Sequence, residues 1–252
     1  AASGTLDISG GGAVSNTSGV IGYAAASSGG VTVDGADSIW TNSGALTVGR
    51  AATGAGGNPG ASLSITDGGA VTNTAGTIGD LAGSTGEVTV DGAGSTWANS
   101  GDLVVGATGS GTLGISGGGA VSNASGFIGD LAAGTGAVTV DGADSTWTNT
   151  GGNGLNVGWM GSATLDITSG GAVSSLAGHV GRQAGSIGTA TVSGADSIWS
   201  IVGALLVGNS GDGTLTLSDG GAAKAASVTV ASNASSTGTL NIGAASGENE
   251  TD

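Results

Sequence analysis

The feature that most constrains this chain is a triplet of apolar, small and apolar residues that returns along almost its whole length. Leu113, Gly114 and Ile115 form one copy, and their alternation is the period-2 pattern of a β-strand with one buried face. Most copies follow at steps of 25 residues, and two steps, of 32 and 27 residues, are longer. The flanking residues of the ten copies are Leu6/Ile8, Val31/Val33, Leu63/Ile65, Val88/Val90, Leu113/Ile115, Val138/Val140, Leu165/Ile167, Ala190/Val192, Leu215/Leu217 and Leu240/Ile242.

Each repeat contains two further short apolar runs, one of the AVSN or STWTN type and one that ends in Ile-Gly or Val-Gly. Three strands per 25 residues, separated by Gly-rich corners, predict one coil of a three-sided parallel β-solenoid. A single coil cannot bury its own apolar face, so stability comes from stacking about ten coils into one domain over residues 1–252. Such a stack is roughly 48 Å long. With 57 Gly and 3% aromatic residues, the chain suits this narrow core better than a broad globular one.

The coils alternate in their second strand. The first four odd coils carry Val there and the first four even coils carry Trp, after a corner that is one residue longer. If the corner absorbs the extra residue, Trp40, Trp97, Trp147 and Trp199 continue the buried Val column. An Asn column runs beside them, and stacked amides would hydrogen-bond along the rod axis. The members of this column are Asn16, Asn42, Asn73, Asn99, Asn123 and Asn149, followed by Ser175.

Two segments depart from the repeat. The segment from Arg50 to Gly60 contains the only proline and accounts for the 32-residue step, so a surface loop is predicted there. Residues 244–252 end in GENETD and are predicted to form a flexible acidic tail.

Charge and residue inventory exclude several functions. The formal net charge is −15 with three Lys and Arg residues, whereas nucleic-acid binding needs clustered bases. No apolar run approaches the ~20 residues of a membrane-spanning helix, so we expect no direct membrane insertion. There is no cysteine, and His179 is the only histidine, so nucleophile and base chemistry lacks its residues. We expect no catalytic centre, no cofactor and no metal site of the Cys/His type.

Acidic corners recur after the first strand of the even coils. Asp34 with Asp37, and Asp141 with Asp144, would offer carboxylate oxygens to Ca²⁺. Aspartate also suits turns, because its carboxylate accepts backbone N–H bonds. The turn interpretation is favoured over the metal interpretation.

One column varies where its neighbours repeat, and we call it the variable stripe. It is the residue after the Gly of each third strand, and it holds both arginines, the only tyrosine and the one Trp outside the Trp column. It is either an unconstrained corner or a recognition surface, whose candidate anchors are Tyr23, Arg50, Trp159 and Arg182. The stripe consists of Tyr23, Arg50, Asp80, Ala107, Asp130, Trp159, Arg182 and Asn209.

The blocks VTVDGADSTWTNTG, LNVG and GTLGISGGGAVSN resemble the repeat of roughly 50 residues found in type V secretion (autotransporter) passengers and in PEP-CTERM-associated surface proteins. The resemblance implies a right-handed β-helix, displayed at the outer surface of a bacterium or secreted, that acts as an adhesin or stalk. Its partners would be host-surface or matrix proteins, glycans, or copies on other cells. Two alternatives stay open: a β-helical polysaccharide-active enzyme, and an ice-binding or self-assembling solenoid that uses an outward column containing Thr32, Thr89, Thr139 and Thr191.

Overall fold

The computed structural model describes residues 3–24, 27–50 and 60–243. Among these residues the secondary structure consists of β-strands without helices, and all strand pairs are parallel. Each coil gives one strand to each of three sheets in turn, which confirms the predicted all-β, three-sided solenoid. The first sheet has ten strands and the other two have nine each, so the stack comprises nine complete coils and the first strand of a tenth.

The first sheet contains the strand that begins each coil. Its members are β1 (Ser3–Ser9), β4 (Ser28–Asp34), β7 (Ala61–Thr66), β10 (Thr85–Asp91), β13 (Ser110–Ser116), β16 (Thr135–Asp141), β19 (Ser162–Thr168), β22 (Ile187–Ser193), β25 (Asp212–Ser218) and β28 (Thr237–Ile242).

The second sheet contains the strand with the alternating Val and Trp. Its members are β2 (Ala13–Asn16), β5 (Ile39–Asn42), β8 (Ala70–Asn73), β11 (Thr96–Asn99), β14 (Ala120–Asn123), β17 (Thr146–Asn149), β20 (Ala172–Ser175), β23 (Ile198–Ile201) and β26 (Ala222–Lys224).

The third sheet contains the short strand that precedes the variable stripe. Its members are β3 (Gly19–Ile21), β6 (Leu46–Val48), β9 (Gly76–Ile78), β12 (Leu103–Val105), β15 (Gly126–Ile128), β18 (Leu155–Val157), β21 (Gly178–Val180), β24 (Ala204–Val207) and β27 (Ser227–Val230).

Two sequence predictions fall outside the described residues. Residues 51–59 of the predicted surface loop are not among them, and neither is the predicted acidic tail at 244–252.

The core is a set of columns in which equivalent residues of successive coils pair directly. Val138 in β16 pairs with Leu113 on one side and Leu165 on the other, and all three side chains are buried. In the second sheet, Trp147 pairs with Val121 and Val173, so the extra corner residue leaves the register intact. The four column Trp side chains are 0–4% exposed, which confirms that they belong to the core.

A glycine in each of the first four odd coils makes room for the Trp of the next coil. The third strand begins with Gly126 in an odd coil, whereas the paired position of the following even coil is Leu155. A Cβ added to Gly126 would lie 2.9 Å from Trp147 Cζ2 and 2.6 Å from Asn149 Oδ1, closer than side-chain atoms pack. The same fit pairs Gly19 with Trp40, Gly76 with Trp97, and Gly178 with Trp199.

The Asn column is hydrogen-bonded in pairs. Trp147 Nε1 donates to Asn123 Oδ1 at 2.6 Å, and Asn123 Nδ2 donates to Asn149 Oδ1 at 2.7 Å. Asn149 Nδ2 then reaches only the Ser174 carbonyl of the next coil, at 3.3 Å. The predicted hydrogen bonding along the rod axis is therefore present. The Trp of each pair of coils also donates to it, so the pattern repeats every two coils. The equivalent groups are Trp40/Asn16/Asn42 and Trp97/Asn73/Asn99, and Trp199 donates to Ser175 Oγ.

The Trp and Gly fit predicts opposite effects for two Gly→Ala changes. Gly126→Ala should lower the free energy of unfolding by about 1–3 kcal/mol, because the new methyl group overpacks the core against Trp147. Gly114→Ala is the matched control, since a Cβ at Gly114 meets no atom within 4 Å. The control should be neutral or slightly stabilising. Urea denaturation of both variants measures the difference, and equal effects would contradict the fit.

The two-coil unit also predicts which internal deletions keep the fold. Deleting residues 113–164 joins equivalent positions and removes one odd and one even coil, so the rod should shorten by roughly 10 Å and still unfold cooperatively. Deleting 113–137 removes a single coil and places Trp147 against Leu103 instead of a glycine. Thermal unfolding followed by circular dichroism should show the shorter deletion to be the more damaging one. A single-coil deletion as stable as the two-coil deletion would overturn the two-coil unit.

Candidate functional site

The variable stripe lies at the third corner, which is the turn that links each third-sheet strand to the next coil. Its members follow a glycine in the left-handed region, with φ of 76° at Gly158 and 69° at Gly181. Their backbone N–H groups donate to that glycine's counterpart one coil earlier, as from Arg182 to Gly158 O at 2.8 Å. Neighbouring stripe residues are therefore one coil apart, roughly 4.8 Å. The backbone is satisfied whatever the side chain is.

The first two candidate anchors form one cluster with Asp80. The Arg50 guanidinium carbon lies 5.3 Å from the centre of the Tyr23 ring, within the range of a cation–π contact. Arg50 Nε is 3.9 Å from Asp80 Oδ2. Tyr23 is 68% exposed, and the Arg50 and Asp80 side chains are 46% and 34% exposed. Ion pairs this exposed contribute little to stability, so the cluster is a solvated surface group.

The other two candidate anchors form a second, more buried cluster. The Arg182 guanidinium carbon lies 4.1 Å from the centre of the Trp159 ring. Phe127 meets Trp159 edge to face, with ring centres 5.1 Å apart. Arg182 Nη1 donates to Asn156 Oδ1 at 2.6 Å, and Asn156 is fully buried. The arginine thus packs over the outer side of the third sheet.

A local insertion explains how Asn156 is held. The coil of Trp159 has the 27-residue step, and its two extra residues lie between β17 and β18. The insertion places the Asn153 carbonyl 3.3 Å from Asn156 Nδ2, which also donates to the Gly126 carbonyl at 3.2 Å. Sequence reasoning missed Asn156 as a member of the site. The available signal was a polar residue that directly follows the long corner and pairs with Phe127, at a position that is often apolar in other coils.

His179 lies next to Asn156 in the third sheet and faces the same cluster. Its side chain is half-buried, and its Nδ1 is buried without a hydrogen-bond partner. Burial, and to a lesser extent the positive charge of Arg182, lower the pKa of His179 to about 4. The imidazole is therefore neutral at pH 7. Elsewhere in the stripe, burial and then repulsion from Asp102 raise the pKa of Asp130.

Carboxylates of the acidic corners accept hydrogen bonds from hydroxyl groups of the neighbouring coil. Thr66 Oγ1 donates to Asp34 Oδ1, and Thr168 Oγ1 donates to Asp141 Oδ1, each at 2.6 Å. The Thr168 bond is the main reason why the pKa of Asp141 is lowered. Asp144 has a φ of 66°, a turn conformation that aspartate tolerates. These features fit the turn interpretation. In the described part of the chain, no group of three or more His, Cys, Asp or Glu side chains is arranged to hold a metal ion.

Comparisons with known proteins add one similar structure. No protein-family model matches the chain, and no curated protein matches it. Among solved structures, it is similar to the crystal structure of the TibC-catalysed, hyper-glycosylated fragment 55–350 of TibA. The identity is 16%, the coverage is 95% of this chain and 92% of that fragment, and the TM-score is 0.26. A similarity this low carries no argument about function. Within residues 3–24, 27–50 and 60–243, there is also no helix of the length and apolarity needed to cross a membrane.

The neutral His179 predicts a pH dependence of stability. The unfolded chain protonates this residue near its ordinary pKa of about 6.5, whereas the folded chain does so at about 4. The contribution of the neutral His179 to the free energy of unfolding is therefore complete above about pH 6.5 and is lost as the pH falls toward 4. His179→Thr, which copies Thr77 of the same column, should flatten this part of the Tm profile relative to the parent chain. A Tm difference that stays constant from pH 7 to pH 4 would contradict the assignment.

Proposed function

We propose that this chain is a non-enzymatic β-helical passenger of the type V secretion kind, displayed at a bacterial surface or secreted, that acts as an adhesin and stalk. The carrying observation is the grouping of Tyr23, Arg50, Trp159 and Arg182 into two clusters along one edge of a regular stack. Aromatic and Arg side chains dominate binding hot spots, whereas much of the remaining surface is Gly, Ser and Thr. The repeat resemblance supports the same function.

The stack suits a stalk. Three parallel sheets run through nine coils, so the described strands extend for roughly 40 Å along the axis. Each coil contacts mainly its neighbours, and length can therefore change by whole two-coil units without a new fold. Many weak contacts spread along one edge would give such a rod its adhesion to a host-surface or matrix protein, a glycan, or another cell.

The enzyme alternative has less support. Glycoside hydrolysis uses a pair of carboxyl groups, one of them as an acid with a raised pKa. In the corner that holds Asp141, hydrogen bonds lower the pKa of the carboxyl and tie it to Thr168. The single histidine is half-buried, and its neutral form is favoured down to a pH of about 4. These environments favour structural roles, and we propose that the chain has no catalytic centre.

The adhesive role predicts a difference between two sets of four substitutions. Changing Tyr23, Arg50, Trp159 and Arg182 to Ser should weaken adhesion or clumping by about tenfold or more, because it removes the anchors of both clusters. The control set changes Thr32, Thr89, Thr139 and Thr191 to Ser on the outer side of the first sheet, and it should have little effect. Particles coated with each protein can be scored for adhesion to cells, matrix proteins and one another.

Circular dichroism should first show that both sets of variants are folded. Equal effects of the two sets, or an unchanged adhesion after the stripe substitutions, would remove the stripe from the adhesive surface. A loss caused only by the Thr set would instead favour the self-assembling or ice-binding alternative.

A further inference from the structure

The two arginines of the variable stripe differ in their counter-charge. Arg50 lies beside the Asp80 carboxylate. Arg182 has no carboxylate within 4.0 Å among the described residues, although the whole chain carries a net charge of −15. Arg182 is also the more buried of the two, and this burial lowers its pKa. An external anion gains more binding free energy at a half-buried guanidinium that lacks a carboxylate partner than at an exposed one that already has a carboxylate beside it.

The guanidinium is held in place before any ligand arrives. The Trp159 ring supports one face of it, and Asn156 accepts from Nη1. Asn156 is itself fixed by two backbone carbonyls, so the supporting shell is rigid. Among the described residues, the Oδ1 of Asn156 is the one hydrogen-bond acceptor for the five side-chain N–H groups of Arg182. A planar fork that is already oriented binds a carboxylate through two parallel bonds with little loss of conformational freedom.

The neighbouring surface indicates what carries the carboxylate. Gln183 follows Arg182 and is exposed, and Asn209 occupies the next position of the stripe. Met160 and Ile187 expose apolar surface at the same corner, at 39% and 52%. Amide groups beside small apolar surfaces suit a ligand with many hydroxyl groups and C–H faces. A ligand with dense negative charge would be repelled by this acidic chain.

We propose that Arg182, supported by Trp159 and Asn156, is a binding subsite for the carboxylate of an acidic sugar of the uronic or sialic type within a glycan. This proposal rests on the proposed adhesive function and specifies the chemical class of one ligand. Binding forms a charge-assisted, two-bond contact at the guanidinium, and the neutral rings of the glycan lie along the stripe toward Asn209.

The test is a titration of the purified 252-residue chain with sialyllactose and with a trisaccharide that carries a single glucuronate, monitored by calorimetry and by NMR. Lactose is the neutral probe, and a tripeptide with a central aspartate is the non-sugar carboxylate. Both acidic sugars should bind at least about tenfold more tightly than lactose, as expected for hydrogen bonds to a charged group. The His179 ring resonance, which is unique in this chain, should shift when the acidic sugars bind.

Three variants make the result specific. Arg182→Gln should weaken the acidic sugars by about tenfold or more and leave the weak binding of lactose unchanged. Arg182→Lys keeps the charge without the planar fork, and it should also weaken the binding of the acidic sugars. It serves as the test if Arg182→Gln does not fold. Lys224→Gln removes one positive charge from the second sheet and should change nothing, so a loss there would indicate non-specific charge attraction.

The outcomes separate this inference from the proposed function. The subsite is overturned if the acidic sugars bind no better than lactose, if Arg182→Gln and Arg182→Lys bind them as the parent does, or if Lys224→Gln weakens them equally. Binding of the aspartyl tripeptide as tightly as the sugars would overturn the assignment to a glycan. If adhesion still depends on the four stripe residues while no acidic sugar binds, the adhesive function stands and the subsite fails.

Discussion

The fit of an indole ring into the space above a glycine is the interaction on which the rest of this structure depends. In each of the first four even coils, the Trp side chain occupies volume that a Cβ on the glycine of the preceding coil would enter, as Trp147 does at Gly126. The same ring donates Nε1 to an Asn of that preceding coil. Packing and hydrogen bonding therefore select the same neighbour, and an even coil fits on an odd coil better than on another even coil. Close packing of a core this narrow leaves little room for a substitute arrangement.

Two further sets of bonds alternate along the rod and follow the same two-coil unit. Within a unit, the backbone N–H of a corner glycine donates to a buried serine of the next coil, as Gly118 does to Ser145 Oγ at 3.1 Å. Between units, a hydroxyl donates to a corner aspartate, as Ser116 does to Asp91 at 2.6 Å. The corner between the first and second strands of a coil therefore holds neighbouring coils together, and the carboxylates of Asp34, Asp91, Asp141 and Asp219 take part in this contact. At the third corner the backbone N–H of every stripe residue from Arg50 to Asn209 bonds to the preceding coil. Side-chain bonds between coils also occur there, as from Thr108 Oγ1 to the Asp80 carbonyl at 2.7 Å, but they differ from coil to coil.

The sequence predicts the fold because the fold depends on periodicity. The spacing of Leu113 and Ile115 and their copies places the core columns of the first sheet, and the longer corner before Trp147 predicts its burial correctly. The partner of that Trp was not predictable from composition, because Gly126 is one of 57 glycines and only the register distinguishes it. Trp159 and Arg182 were predicted as candidate anchors of the variable stripe, but their grouping with Asn156 and Phe127 into one cluster was not predicted. Its contacts depend on the side-chain conformation of Arg182 and on an insertion near Asn153, and neither leaves a periodic signal.

This division of duties explains how binding residues and a repetitive rod are compatible. Charged and aromatic side chains in the first corner or in the second sheet would replace groups that set the register, so their variation would carry a cost in stability. At the third corner, Arg182 and Trp159 donate their backbone N–H groups to Gly158 and Gly129 just as Asp80 donates to Gly49. The side chain is thus independent of the backbone ladder, and each coil offers one position at which chemistry can change alone. A stripe of this kind can collect an unpaired arginine on an otherwise acidic rod without disturbing the stack beneath it.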